Sequence, residues 1–238
     1  MLLLVSGEGP SDIGVDVPGE QGWVFRPGPM THVIDRLFEH RCDYSALLCE
    51  MIEFISERAL VEVKEKNSGR KFRAPGKRKE QETNFFYENA QRLAILSVER
   101  QMQADRMVIP VLFRDSDTVS IREWRAKWRS MLDGFESGGS SLGVPMIPQP
   151  KSEAWLLCAC RDPQYEHCAQ LESAPGNDDA PAPLKPMLDA ARNGRSSAQE
   201  LVEAIENGDI DPLRITMPSF DEFRTRLNHV LDQFNGHP

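Results

Sequence analysis

No stretch of this 238-residue chain comes near the roughly 20 apolar residues that a membrane-spanning helix needs. The apolar runs are short, such as Leu2 to Val5 and Val108 to Phe113. The opening residues, MLLLVSGEGP, lack the basic flank of a secretory signal and soon turn polar, so they read as a first strand. A Walker-type phosphate cradle is also missing, so any ATP chemistry must come from another chain. Tyrosine is scarce, with only Tyr44, Tyr87 and Tyr165. Cysteine is few and odd in number, five in all, which predicts free thiols in a reducing cytoplasm. Cys158, Cys160, His167 and Cys168 lie close together. Their C-x-C then H-C spacing fits no zinc finger or ribbon, and Cys158 follows the apolar Trp155-Leu156-Leu157, so buried or surface thiols are expected.

What is present suits a globular protein: 40% hydrophobic and 27% charged residues, enough for one large domain or an α/β domain with a helical appendage. The net charge of −9 argues against non-specific nucleic-acid binding by the whole surface. That charge is uneven. Residues 64–79 carry Lys64, Lys66, Arg70, Lys71, Arg73, Lys77, Arg78 and Lys79 against Glu65, a net +7 that leaves −16 for the remainder. The stretch reads either as a solvated loop or as a phosphate-contacting or partner-docking arm.

Along the chain, Leu2 to Ser6 predicts a buried strand stopped by Gly7 and Gly9, and the Gly/Pro-rich Ser11 to Pro29 a loop. Met30 to His40 has helical spacing. Tyr44 to Leu60 is compatible with helix or strand, and Val61 to Lys66 alternates like a strand. Asn84 to Gln103 predicts a helix, and Met107 to Phe113 a strand central to a parallel sheet. Val119 to Phe135 predicts a helix, Gly143 to Ile147 a short strand, and Ser152 to Cys160 a helix with Ser152 as N-cap. A Pro/Gly/Asp-rich segment runs from Asp162 to Pro186, followed by helices at Ser197 to Asn207 and Phe220 to Phe234. Alternating strands and helices imply an α/β fold with a mostly parallel sheet flanked by helices. The expected organisation is an α/β domain over 1–160, with a basic insertion at about 61–82, and a loop-rich helical extension over 161–238.

Ligands of open parallel sheets gather beyond the carboxyl ends of the strands. Here one strand delivers Glu8, another Asp115 and Asp117, and a third is followed by Lys151 and Glu153. Converging carboxylates repel unless a cation neutralises them, and Mg²⁺ takes such hard oxygen ligands. Acids at strand ends often merely cap the next helix, so a lone D-x-D is weak; the combination is stronger. Trp155, Leu156 and Leu157 read as core, and Trp124 and Trp128 as packed against the sheet. His32 is placed either near the site or in a capping or surface role.

The ordered set Glu8-Gly9-Pro10-Ser11-Asp12, Asp115-Ser116-Asp117 and Pro150-Lys151-Ser152-Glu153-Ala154-Trp155-Leu156-Leu157 resembles a Toprim domain. It is most similar to the small bacterial, defence-associated proteins related to the nuclease domain of the OLD (overcoming lysogenization defect) family. The resemblance implies a Rossmann-like Toprim sheet and a Mg²⁺ or Mn²⁺ cofactor. It implies that Glu8 is a metal ligand or general acid/base, Asp12 the second acid of E-G-x-x-D, and Asp115 and Asp117 the metal-binding pair. Glu153 is a candidate for the acid of a second metal, and Lys151 for stabilising charge on a scissile phosphate. Arg114 is a candidate for pairing with acids or binding phosphate. No tyrosine is placed as a strand-passage nucleophile, which disfavours a topoisomerase. The expected function is metal-dependent hydrolysis of DNA or RNA in antiphage defence, with a separate ATPase as a candidate partner. The alternatives are a non-catalytic module that binds nucleic acid or a partner, and a nucleotide-dependent phosphotransferase, disfavoured by the missing phosphate cradle.

Overall fold

The computed structural model describes residues 1–19, 22–63, 80–175 and 183–235. In chain order its elements are β1 (Leu2–Gly7), β2 (Gly14–Gly19), β3 (Gly22–Pro27), α1 (Pro29–Cys42), β4 (Ile52–Ile55), α2 (Glu57–Glu62), α3 (Glu80–Ala104), β5 (Val108–Phe113), α4 (Ile121–Ser137), β6 (Val144–Met146), α5 (Ser152–Cys160), α6 (Leu184–Ala191), α7 (Ala198–Glu206) and α8 (Pro218–Asn235). A 3-10 turn spans Cys168–Ser173 and another Pro212–Arg214. The main sheet has the order β4-β1-β5-β6, and every pairing in it is parallel.

Both faces of this sheet are covered, which is why β5 and Leu2 to Val5 of β1 are apolar. Alternation along β1 sends Leu3 and Val5 to a core shared with α1, α5, α6, α7 and α8. Leu2 and Leu4 go to the opposite face, under α3 and α4 and Leu60 of α2. Trp155 is fully buried in the first core. Its ring meets Phe220 edge-on at 4.9 Å and stacks on Phe223 at 5.9 Å, and its indole N–H donates to Ser219 Oγ at 2.8 Å. Trp124 is buried on the other face, stacked on Trp128, and donates to the Ile147 carbonyl. Both tryptophan groups therefore pack as the sequence predicts. Among the described residues, no helix is long and apolar enough to cross a membrane.

Several expectations are corrected. The segment 11–29 is not a loop: β2 and β3 form an antiparallel hairpin, Gly14 opposite Pro27. Most of its side chains face solvent, so no regular apolar face marks it. Val61 and Glu62 are not strand but the end of α2, whose start Ser56 caps by accepting the Ala59 N–H; residues 64–66 lie outside the described residues. Ser152 is the first helical residue of α5, and Lys151 occupies the cap position. Within the Pro-rich segment 162–186, α6 begins at Leu184. Cys158 and Cys168 are joined in a disulfide within the buried core, not free; Cys49 and Cys160 are free thiols.

Candidate functional site

β1 and β5 lie side by side in register, Gly7 opposite Phe113, so the residues after each strand leave the sheet at one edge. Gly7 permits this approach: a Cβ there would stand 2.7 Å from the Phe113 carbonyl oxygen. Glu8 is thereby brought to Arg114-Asp115. Its Oε1 accepts the Asp115 backbone N–H at 2.9 Å, and its Oε2 pairs with Arg114 at 3.0 Å. Arg114 reaches on to Glu57 of α2 at 3.1 Å. The same guanidinium lies 5.7 and 5.6 Å from the ring centres of Phe85 and Phe86.

After Glu8 the chain turns back on itself. The N–H groups of Asp12 and Ile13 both bond to the Gly9 carbonyl, at 3.0 and 3.2 Å. Gly9 has a φ of +78°, and a Cβ on it would stand 2.7 Å from the Asp12 carboxylate, so glycine suits both the turn and the returning acid. Asp12 Oδ1 accepts Ser152 Oγ at 2.7 Å, while Asp115 Oδ1 accepts the Ser152 backbone N–H at 2.9 Å. The N-terminus of α5 thus draws two carboxylates to itself, as the dipole of a helix favours.

The D-x-D loop is held from beneath. Ser116 is fully buried, its N–H bonded to the Pro148 carbonyl at 3.1 Å, and the Asp117 N–H bonds to the Pro150 carbonyl at 2.9 Å. Lys127 of α4 is also buried and donates from Nζ to the Ser116 carbonyl at 2.5 Å. Asp117 itself is exposed, with a left-handed φ of 48° that aspartate tolerates better than most residues. It stands at the rim, and its charge reaches Glu8.

Burial sets the electrostatics. It pushes the Asp115 carboxyl well above the usual carboxylate range, and Asp12, Glu153 and Glu8 push it further, against the Ser152 N–H. Burial also raises Glu8, opposed by Arg114 and the Asp115 N–H and reinforced by Asp117 and Glu57. Glu153 is raised for the same first reason; its own backbone N–H, Lys151 and Lys185 oppose the shift and Asp12 reinforces it. Among the described residues, Glu153 Oε2 is buried without a hydrogen-bond partner.

The structure therefore brings Glu8, Asp12, Asp115 and Glu153 into one electrostatically coupled group, with Asp117 at its edge and Lys151 beside Glu153. Arg114 is engaged by two acids. Arg70, Lys71, Arg73, Lys77, Arg78 and Lys79 lie outside the described residues. His32 is buried beneath α7 and faces Glu206 at 3.6 Å, so it is neither a cap nor a member of this group. Glu57, Lys127 and the bridging role of Ser152 were not foreseen. Glu57 falls where the chain was compatible with helix or strand, and the partners of Lys127 and Ser152 come from distant segments.

The donors are all hard oxygens, which suit Mg²⁺ or Mn²⁺ and not zinc. Among the described residues, however, no three His, Cys, Asp or Glu side chains are arranged as a ready ligand set. The oxygens of Glu8, Asp12 and Asp115 are taken up instead by Arg114, by Ser152 and by the Asp115 N–H. No family model matches the chain, and neither a curated protein nor a solved structure does.

Proposed function

We propose that this chain is a Mg²⁺-dependent phosphodiesterase acting on DNA or RNA, on a Toprim-like sheet. The observation that supports the reading is the gathering of acids beyond the ends of three strands, with the pKa of Glu8 and Glu153 raised and that of Asp115 raised well above its ordinary value. Such a group raises the free energy of the fold unless protons or a cation neutralise it. The unpartnered Glu153 oxygen has the same need. Glu8, Asp12, Asp115, Asp117 and Glu153 would hold one or two ions. When bound, the metal supplies Lewis acidity toward a phosphoryl oxygen and lowers the pKa of bound water.

The chain's own groups prepare this chemistry. Ser152 orients Asp12 and Asp115 through its hydroxyl and N–H. Arg114 orients Glu8, which with its raised pKa is suited to move a proton as general acid or base. Glu153 is the second proton-handling candidate, and the Lys151 ammonium would stabilise charge on the scissile phosphate. A cation must compete with Ser152 and Arg114 for the same oxygens. A place in antiphage defence beside a separate ATPase follows from the family resemblance alone.

One observation favours a second reading, a non-catalytic module: oxygens of Glu8, Asp12 and Asp115 are already engaged within the protein, and no ready metal set exists among the described residues. Incubation of plasmid, linear DNA, tRNA and total RNA with Mg²⁺ or Mn²⁺ decides between the two. The first reading expects cleavage of at least one substrate, reduced about a hundredfold or more by Asp115→Asn, since a metal-bound step depends on its ligands. Binding without cleavage under every condition supports the second.

A further inference from the structure

Beside the acid group runs a groove of about 480 Å³, lined by Gly7, Gly9, Asp16, Trp23, Phe54 and Glu57 among others. We propose that this groove seats an unpaired base of a single-stranded nucleic acid, stacked on Trp23. The proposal rests on the nucleic-acid reading of the neighbouring acids and names the form of substrate they would act on.

Trp23 is 74% exposed, whereas Trp124 and Trp155 are buried. Val24 beside this indole is also exposed. The mount of Trp23 is firm. Residues two apart on a strand share a face, so Trp23 and Phe25 point the same way, and Phe25 stacks on Phe54 of β4 at 4.8 Å with planes 8° apart. Asp16 lies directly opposite Phe25 in the hairpin and so shares this face. One ring of the hairpin is anchored to the sheet, and the other is held out over the groove.

The lining chemistry selects the occupant. Asp16 and Glu57 are acidic, and among the described residues no lysine or arginine lines the groove, so its described lining repels a phosphate. A base is not: its flat face stacks on an indole, and carboxylates accept from exocyclic amino groups such as that of cytosine. The groove is also continuous with the acid group. Gly7 and Gly9 flank Glu8, and Glu57 shares Arg114 with it. A base seated on Trp23 leaves its phosphodiester next to those carboxylates. Bases inside a duplex cannot offer a free face, so the groove favours single strands.

Fluorescein-labelled dC6, dT6 and a duplex of the same length are titrated against the whole protein with Ca²⁺, following anisotropy and indole emission. Wild type, Trp23→Ala and Trp23→Phe are compared, with thermal midpoints measured alongside. The proposal expects unchanged midpoints, dC6 bound more tightly than dT6 or duplex, and indole quenching by dC6. Trp23→Ala should weaken dC6 binding about tenfold or more, whereas Trp23→Phe retains most affinity and loses the quenching. Equal affinity in Trp23→Ala and wild type, absence of quenching, or no binding by wild type overturns the proposal and leaves the groove to an apolar side chain of a protein. Cleavage with Mg²⁺ is followed in parallel. Cleavage indifferent to Trp23 sinks the groove alone; Trp23-dependent binding without cleavage sinks the nuclease reading alone.

Discussion

A carboxylate buried beside other carboxylates gives up its proton reluctantly, and Asp115 is in that position, with Asp12, Glu153 and Glu8 around it. Its folded pKa is raised above the unfolded value, so between those two values the folded state binds more protons than the unfolded chain. Stability from this group is therefore lost as pH rises through the folded pKa and regained as pH falls. Glu8 and Glu153, also raised, act in the same direction. Asp115→Asn keeps an oxygen for the Ser152 N–H and removes the charge. In metal-free buffer at pH 7 it should be more stable than wild type by roughly 1–2 kcal/mol, a common size for a single substitution. That advantage should shrink as pH is lowered through the raised pKa of the wild-type carboxyl, which then takes up its proton. Thermal midpoints across this range measure it, and an advantage that grows on acidification would show that the charge on Asp115 is well tolerated.

At the scale of elements, a tertiary contact replaces a local cap at the start of α8. Glu172 is buried in the first 3-10 turn, and its Oε1 accepts the Ser219 N–H at 2.7 Å, while Ser219 Oγ accepts from Trp155. Glu172→Ala should lower stability by about 1–2 kcal/mol, as loss of a helix cap does, and Glu172→Gln by less because the amide oxygen still accepts. Urea midpoints test this; equal midpoints for Ala and wild type would mean that α8 starts without help from Glu172. Such a contact cannot be read from a sequence, because forty-odd residues separate its partners. What could be read were elements with a strong apolar pattern. β5 and the first four residues of β1 are unbroken apolar runs, and α1, α3, α4, α7 and α8 carry helical spacing. The β2–β3 hairpin, largely exposed, lacks that pattern. α6 is obscured by Pro186, which is tolerated because it falls in the first turn of the helix. Of the acid group, Glu8, Asp12, Asp115, Asp117 and Glu153 were legible because each follows a strand in a recognisable motif. Their clamps were not: Ser152 looked like a cap, and nothing in the sequence singled out Glu57 or Lys127.

At the scale of the whole molecule, the C-terminal helices complete the core beneath the site. Phe220, Phe223, Leu227, Val230 and Leu231 are fully buried with Trp155 in the cluster that also holds Leu3, Val5 and Val111. A chain ending at residue 161 would expose that face, and each lost large apolar contact costs about 1.5–3 kcal/mol. It should show no cooperative unfolding transition by calorimetry. A sharp transition near that of the full chain would make residues 162–238 an independent appendage. The net charge of −9 surrounds a group of acids already at odds with one another, and a divalent cation is the counterpart we propose for them. Calorimetric titration of Mn²⁺ into the full chain, wild type beside Asp115→Asn, tests that claim most directly. Loss of groups that merely orient a metal ligand costs about 10–100-fold in affinity, and loss of a ligand should cost at least as much. The account predicts saturable binding to wild type and binding at least tenfold weaker to the variant; equal affinity for both, or no binding to wild type, would contradict it.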